Sequence, residues 1–400
     1  MTSSERYHSL DSLRAIMMLL GVLLHIVCGY AIIDGVWWYK DSATSRVADI
    51  FILFLHIFRL PVFFVMAGFL GALLYTKRGW TGFAKNRASR IILPLVLFQL
   101  ILYPLLEGIS GYRWAVEHDE TNPIMGAFHW ISSARCWSRI HPMHLWFLEY
   151  LALTCLVTAV AAPLLSKICG RRASAWFRAA VTSSWRAVIF AVPTLATLAF
   201  MHDGLLDTPH SFVPEVRILA AYTVFFGFGW ILYHHRDLLG ELTRGVGVQL
   251  TAAMLFSAAN ALFLVRRIEH HADPVAFWGL AVTGSVVVWL MIFGSTGFFI
   301  RHFSQPSPTM RYLSDSAYWQ YLMHPPIVFA AQLAVAPLAV AWYLKAALVT
   351  AVSVPLLLVS YEWFVRHTWV GVILNGRRYA KVLPTPFGRS TEKPEMEAAG

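Results

Sequence analysis

The feature that most constrains the fold is a series of long apolar runs. Each run is about 18 to 25 residues long, enough to cross roughly 30 Å of hydrocarbon as a helix. A spanning segment must satisfy its own backbone hydrogen bonds, and the absence of apolar–polar alternation favours helices over a barrel. Of the 400 residues, 58% are hydrophobic and only 14% are charged. We therefore predict an all-α polytopic membrane protein.

The runs predict about ten transmembrane helices, near residues 12–33, 47–75, 88–109, 143–165, 186–201, 214–233, 246–265, 275–300, 318–340 and 342–365. This arrangement places 22 of the 32 Lys and Arg on one side and nine on the other, with Arg59 alone inside a span. Cytoplasmic loops carry the excess of basic residues, so both termini are predicted to be cytoplasmic. The ninth and tenth runs nearly touch, which leaves nine or eleven spans as alternatives. We expect one integral-membrane domain over 1–375 and a polar, disordered cytoplasmic tail over 376–400.

The formal charge of +10 does not call for a nucleic-acid partner. The basic residues lie mostly in short loops beside spans, where topology and anionic membrane lipid account for them. The four cysteines form no CxxC pair and no metal-ligand spacing. The sequence therefore predicts neither a metal site nor a disulfide framework.

The longest non-spanning stretch, residues 110–142, is expected on the extracytoplasmic side. It is rich in Trp, His and acidic residues, and loops of that length are usually functional or disordered. Its aromatic residues argue against disorder. They fit sugar binding and anchoring at the membrane interface equally well.

Ionisable residues inside spans are costly and usually mark a site. Arg14 and His25 are eleven residues apart in the first span, which puts them on one helix face roughly 16 Å apart. Alone, Arg14 reads as a snorkelling anchor at the cytoplasmic edge. The alternative to function for His25 is a hydrogen-bonded packing role between helices. We favour function for His25.

Three further spans carry such residues. In the second, His56 and Arg59 are neighbours at i and i+3, with Pro61 as an expected kink. An Arg at that depth needs an anionic partner or a cavity. In the fourth span, whose mouth is marked by His144 and Trp146, Glu149 is a candidate partner for Arg59 or for a catalytic His.

The ninth span contains His324 followed by Pro325 and Pro326, which predicts a broken helix with freed carbonyls lining a cavity. The third span begins with Arg87 and Arg90 on one face. This pair reads as positive-inside anchoring when taken alone. It is also a ready phosphate clamp, because guanidinium binds phosphate as a bidentate fork.

Five motifs in order, "LDSLRA", "PVFFVMAGFL", "NRASRIILP", "HLWFLEYL" and "LSDSAYWQYLMHPP", resemble the membrane-bound acyltransferase family 3 over about residues 6–367. The resemblance implies a ten-helix protein of the bacterial inner membrane. It implies an acyl-CoA donor from the cytoplasm and a sugar hydroxyl as acceptor in the periplasm. The family's essential Arg and His fall on Arg14 and His25, and its basic segment on Arg87 and Arg90. Glu149 follows Trp146 by three residues, where many relatives have a carboxylate after five, so that role is not carried over.

Within the family, the first two spans most resemble members associated with attaching succinyl groups to periplasmic glucans. This resemblance implies succinyl-CoA or acetyl-CoA as co-substrate, with no permanently bound cofactor, and a periplasmic glucan or other envelope glycan as acceptor. Proteins of glucan synthesis are implied as further partners.

These expectations combine into a mechanism. His25 is the expected general base, with Arg14 and Arg59 as further catalytic residues. Arg14, Arg87 and Arg90 would hold the coenzyme phosphates, while a pantetheine arm of roughly 15 Å presents the thioester near His25. Arg59, with His56, would stabilise the oxyanion or bind a succinyl carboxylate. His144, Trp146, Glu149 and His324 complete the candidate substrate-binding residues. Direct transfer and an acyl-His intermediate both remain open.

Two rival functions remain. A transporter or flippase of glycans or lipid-linked sugars would also need intramembrane charges, but it predicts internal repeats that the sequence does not show. A non-catalytic membrane scaffold predicts that His25 and Arg59 are replaceable. Coenzyme A binding separates the enzyme from both rivals.

Overall fold

A computed structural model describes residues 7–168, 170–270 and 273–381 of the chain. Over these residues the fold is helical and contains no strand. The helices are α1 (His8–Cys28), α2 (Arg46–Arg87), α3 (Leu93–Glu117), α4 (Pro123–Ser132), α5 (Ala134–Trp137), α6 (Trp146–Ile168), α7 (Arg171–Thr182), α8 (Arg186–Leu198), α9 (Val216–His234), α10 (Val246–Glu269), α11 (Pro274–His302), α12 (Pro308–Val335), α13 (Trp342–Tyr361) and α14 (Trp369–Asn375). The predicted all-α membrane class is confirmed.

Local sequence accounts for where several helices begin and end. Side chains of Ser45, Asn122, Asp273 and Ser307 accept a hydrogen bond from a backbone N–H in the first turn of the helix that follows. Such N-caps satisfy donors that have no partner within the helix. Gly376, in the left-handed conformation, ends α14.

Seven helical segments in the described part of the chain are long and apolar enough to cross a membrane, or eight if α7 and α8, bent by 115°, form one span. One of the seven, Arg46–Glu117, has 72 residues and at about 1.5 Å per residue exceeds any bilayer thickness. It breaks at Gly79, whose φ of 64° is left-handed, and it continues through a π-helical turn at Ala88–Ile92. The predicted fifth span contains only the 13 residues of α8. The count of ten and the position of the termini stay predictions.

Two sequence expectations need correction. Most of 110–142 is helical, because α3 continues to Glu117 and α4 and α5 follow. The predicted break beside His324 is absent, since α12 runs unbroken from Pro308 to Val335. The backbone of α2 stays helical at Pro61, and the kink expected there stays a prediction. Most of the expected tail, 382–400, lies outside the described residues.

Close helix packing positions the site. A Cβ on Gly68 of α2 would overlap the Phe226 carbonyl of α9, and one on Gly229 would overlap the Val65 carbonyl. The two glycines therefore allow the backbones of α2 and α9 to touch. Helix α1 packs against α2, α11, α12 and α13.

Candidate active site

A cavity of about 360 Å³ lies between α1, α2, the start of α6 and α12. The segments 29–45 and 199–215, which connect α1 to α2 and α8 to α9, contribute to its wall. Most of the lining is apolar. The His, Arg and Asp side chains on it are His25, Asp49, His56, Arg59, His144, His210 and His324.

His25 lies near the last turn of α1 and has aromatic rings on two sides. Its ring centroid is 4.7 Å from Trp37 and 4.8 Å from His324, both in edge-to-face geometry. The ring makes no hydrogen bond to any described residue, and its Nδ1 is buried without a partner. His25 is therefore held by packing, and either nitrogen is free to carry its proton.

His324 on α12 has a defined protonation pattern. Its Nδ1 lies 2.9 Å from the Gln320 carbonyl oxygen. A carbonyl only accepts, so Nδ1 must be the donor, and in the neutral ring the lone pair is then on Nε2. That Nε2 is buried and has no partner in the described structure.

Pro326 does not break α12 but leaves one of its carbonyls free for His144. Pro326 has no N–H, so the Leu322 carbonyl loses its helical partner. Nε2 of His144 lies 3.2 Å from this carbonyl and donates to it, while Nδ1 is buried and unpartnered. The Tyr321 hydroxyl donates to the His144 carbonyl at 2.8 Å. The freed carbonyl that the sequence predicts thus orients a second histidine of the cavity.

Arg59 is a buried cation without an anion. Only 9% of the residue is exposed, its Nε has no partner, and no described carboxylate lies within ion-pairing distance. The expected pairing with Glu149 is not formed, because Glu149 lies off the cavity with its Oε2 buried and unpartnered. The guanidinium instead lies against Gly21, where a Cβ would overlap it. Beside it, Nε2 of His56 donates to the Leu206 carbonyl at 3.0 Å.

The basic residues expected at the coenzyme do not line the cavity. Arg14 donates to the hydroxyl and the carbonyl of Ser314 on α12, at 2.5 and 3.3 Å. Arg90 donates to the Val372 and Ile373 carbonyls near the end of α14. Arg87 lies over the Phe83 ring, 5.3 Å from its centroid. Their role in phosphate binding stays a prediction.

Two buried polar residues that shape the site, Gln332 and Asp49, were not among those predicted from the sequence. Gln332 is fully buried, accepts from Trp37 Nε1 at 2.7 Å and donates to the Ile26 carbonyl at 2.9 Å. Asp49 accepts from the N–H groups of Ile32 and Ile33, which ties the segment after α1 over the cavity. A buried Gln in the ninth span and a buried Asp beginning the second were the available signals.

The arrangement can move protons and stabilise negative charge. Three neutral imidazoles each have a nitrogen lone pair that can accept a proton, and an unpaired guanidinium beside them favours an oxyanion or a carboxylate. In the part of the chain that the structure describes, no group of three or more His, Cys, Asp or Glu side chains is placed to hold a metal ion. Fold and cavity together define a multi-pass α-helical membrane protein with a site between its helices that is suited to group transfer.

The chain belongs to the acyltransferase 3 family, whose model, described as an acyltransferase domain, matches residues 7–362. It is 26% identical over 339 residues to glucans biosynthesis protein C of Salmonella schwarzengrund (strain CVM19633), covering 81% of this chain and 83% of the relative. It is 27% identical over 340 residues to the proteins of the same name from Salmonella paratyphi B and Salmonella agona, with the same coverage. No solved structure matches the chain. The family prediction is confirmed, and with it the class of membrane acyltransferase.

Proposed function

We propose that the protein transfers an acyl group from acyl-CoA to a hydroxyl of a periplasmic glucan, with succinyl favoured over acetyl. The observation that carries this proposal is the cavity in which His25, His144, His324 and Arg59 meet between the helices of a membrane acyltransferase. Similarity to proteins named for glucan biosynthesis supports the acceptor class. Ten spans, cytoplasmic termini and an inner-membrane location complete the proposal.

The reaction needs a base, because a sugar hydroxyl is a poor nucleophile. His25 takes the hydroxyl proton as the oxygen attacks the thioester carbonyl carbon. The tetrahedral oxyanion forms beside Arg59, whose charge has no other described anion to neutralise it. The carbon–sulfur bond then breaks, and the leaving thiolate recovers the proton from His25. The products are the ester and coenzyme A.

The unpaired Arg59 also gives a physical reason to favour succinyl. A donor with a free carboxylate can place that charge near the guanidinium, and charge-assisted bonds of this kind are strong in a dry site. Arg14 lies three helical turns from His25 on the same helix. Together with Arg87 and Arg90, it is proposed to bind the coenzyme phosphates at the cytoplasmic side.

The test compares periplasmic glucans from cells lacking the gene, complemented with wild type, His25→Ala or His302→Ala at matched membrane levels. His302 is the control because it is exposed at the end of α11, outside the cavity. Mass spectrometry should find an added acyl group with wild type and with His302→Ala, and none with His25→Ala.

Two results would contradict the proposal. Full modification with His25→Ala would remove His25 as the base. No modified glucan with wild type would remove the glucan acceptor and return attention to transport of glycans or lipid-linked sugars. A separate assay identifies the donor: the purified protein is given succinyl-CoA or acetyl-CoA, and the release of coenzyme A from each is compared.

A further inference from the structure

Two buried nitrogens without partners belong to neighbouring rings of the cavity. They are Nδ1 of His25 on α1 and Nε2 of His324 on α12. The ring centroids are 4.8 Å apart, at an interplanar angle of 77°. This separation leaves room for an N–H···N hydrogen bond of ordinary length when the two nitrogens turn towards each other. Such a bond would satisfy both atoms at once, which matters because an unpaired buried polar group is costly.

The direction of that bond follows from the backbone. Because Nδ1 of His324 donates to the Gln320 carbonyl, Nε2 of the neutral ring can only accept. His144 is the other imidazole beside His324, with centroids 5.5 Å apart. Its Nε2 donates to Leu322, so its Nδ1 is also an acceptor and cannot donate to His324. Of the three imidazoles, only His25 is free to be the donor.

We propose that His324 is a positioning residue that fixes the tautomer of His25 through a chain running from the Gln320 carbonyl to His324 and on to His25. In this chain His25 carries its proton on the buried Nδ1 and donates it to His324 Nε2. The lone pair of His25 is then on Nε2, the nitrogen left for a substrate hydroxyl in the cavity that the ring lines. The inference rests on the proposed function for its catalytic consequence, but the tautomer itself does not depend on it.

This chain of hydrogen bonds gives His25 the acceptor that a catalytic histidine needs on its other nitrogen. A base is effective only in the tautomer that turns its lone pair towards the nucleophile, and an acceptor on the opposite nitrogen selects that tautomer. A carboxylate usually has this role. Here a neutral imidazole, itself oriented by a backbone carbonyl, takes its place beside the permanent charge of Arg59.

The first test reads the tautomers directly. Protein labelled with ¹⁵N-histidine, in lipid bilayers at mildly alkaline pH, is examined by solid-state NMR, and signals are assigned with His25→Asn and His324→Asn. We expect both His25 and His324 to carry the proton on Nδ1. A proton on Nε2 of His25 would overturn the proposal, whatever the activity of the protein.

The second test replaces His324 by Asn and by Gln, whose amide groups lie at different distances from the backbone. In His324→Asn the amide lies near the position of Nδ1, so it can donate to Gln320 but offers His25 no acceptor. In His324→Gln the amide lies near the position of Nε2, so its oxygen can accept from His25. We expect kcat for coenzyme A release to fall about 100-fold or more in His324→Asn. His324→Gln should stay within about tenfold of wild type, and KM should be unchanged in both.

A purely structural role of His324 predicts no advantage for Gln. Equal losses in the two variants, or a smaller loss in His324→Asn, would therefore overturn the positioning role. If wild type itself releases no coenzyme A, the proposed function fails. The NMR measurement still decides the His25–His324 bond in that case.

Discussion

Asp41 and Lys345 form a buried ion pair that ties the segment after α1 to the start of α13. Lys345 Nζ is 2.9 Å from both carboxylate oxygens and 3.0 Å from the Ala336 carbonyl. The side chains are 1% and 2% exposed. Asp41 also accepts from the Tyr39 hydroxyl at 2.5 Å and from the Ala43 N–H at 2.8 Å. Asp41→Asn removes the charge and keeps the shape.

The expected loss of stability in Asp41→Asn follows from the acceptors that Lys345 keeps. The ammonium group of Lys345 stays buried with one neutral carbonyl and one amide oxygen as acceptors. Breaking a buried pair by removing one partner costs about 3–5 kcal/mol, because the other charge is left uncompensated. Since the Ala336 carbonyl remains, we expect the lower end, about 3 kcal/mol. This corresponds to roughly a hundredfold change in the unfolding equilibrium constant.

The assay is denaturation of the purified protein in mixed micelles with increasing dodecyl sulfate, followed by Trp fluorescence. The matched control is Asp34→Asn in the same segment, because Asp34 pairs with Lys40 at 2.5 Å with both side chains exposed to solvent. That exposed pair should be worth less than about 1 kcal/mol. Equal effects of the two substitutions would refute the reasoning. A double variant with Lys345→Met should recover most of the Asp41→Asn loss.

The same pair predicts a pH dependence. Burial acts to raise the pKa of Asp41, but hydrogen bonds from Tyr39, Ala43 and Lys345 outweigh it and lower the pKa below its ordinary value. The stabilisation is therefore fully present above the unfolded pKa of about 3.9 and is lost as pH falls through the folded pKa. In Asp41→Asn the free energy of unfolding should therefore fall less steeply at acid pH than in wild type. If the fall is unchanged in the variant, other carboxylates cause it.

Two glycine substitutions test the packing of the site. Gly21→Ala places a Cβ on the Arg59 guanidinium, which is the movable end of a long side chain. The protein should therefore fold, while its activity falls roughly 100-fold. Wild-type turnover in this variant would contradict the placement of Arg59. Gly229→Ala places a Cβ on the Val65 backbone and should cost about 1–3 kcal/mol of stability in the same denaturation assay. Gly227→Ala, with open space at its Cβ, is the control on the same helix, and a loss equal to that of Gly229→Ala would refute the close crossing.

Helices and site residues differ in how far the sequence predicts them. A membrane helix is specified by the length and apolarity of one contiguous run, so the class of fold follows from local information. His25, Arg59 and His324 are candidates for the same reason, because each is an ionisable group inside such a run. All three do line one cavity. The motifs around them also led to the family that the comparison confirms.

The hydrogen-bond and ion-pair partners of the candidate residues could not be predicted from the sequence, because they come from distant segments. Arg90 donates to carbonyls more than 280 positions away, and Arg14 to Ser314. Glu149 suited Arg59 by charge, but helix packing keeps the two apart. Pro326 of α12 frees the Leu322 carbonyl as expected, yet the helix continues, and Nε2 of His144 donates to that carbonyl.

By itself, the sequence determined that this is a helical membrane protein and that His25, Arg59 and His324 lie on its long helices. Whether a run enters the membrane depends on the free energy of transferring its own residues from water to hydrocarbon, so no other segment is needed to predict it. Only the tertiary structure decided which buried groups pair, which stay unpaired and which nitrogen of His144 and of His324 carries its proton. These depend on hydrogen-bond distances between separate helices, and the packing of α1 against α2 and α12 sets them.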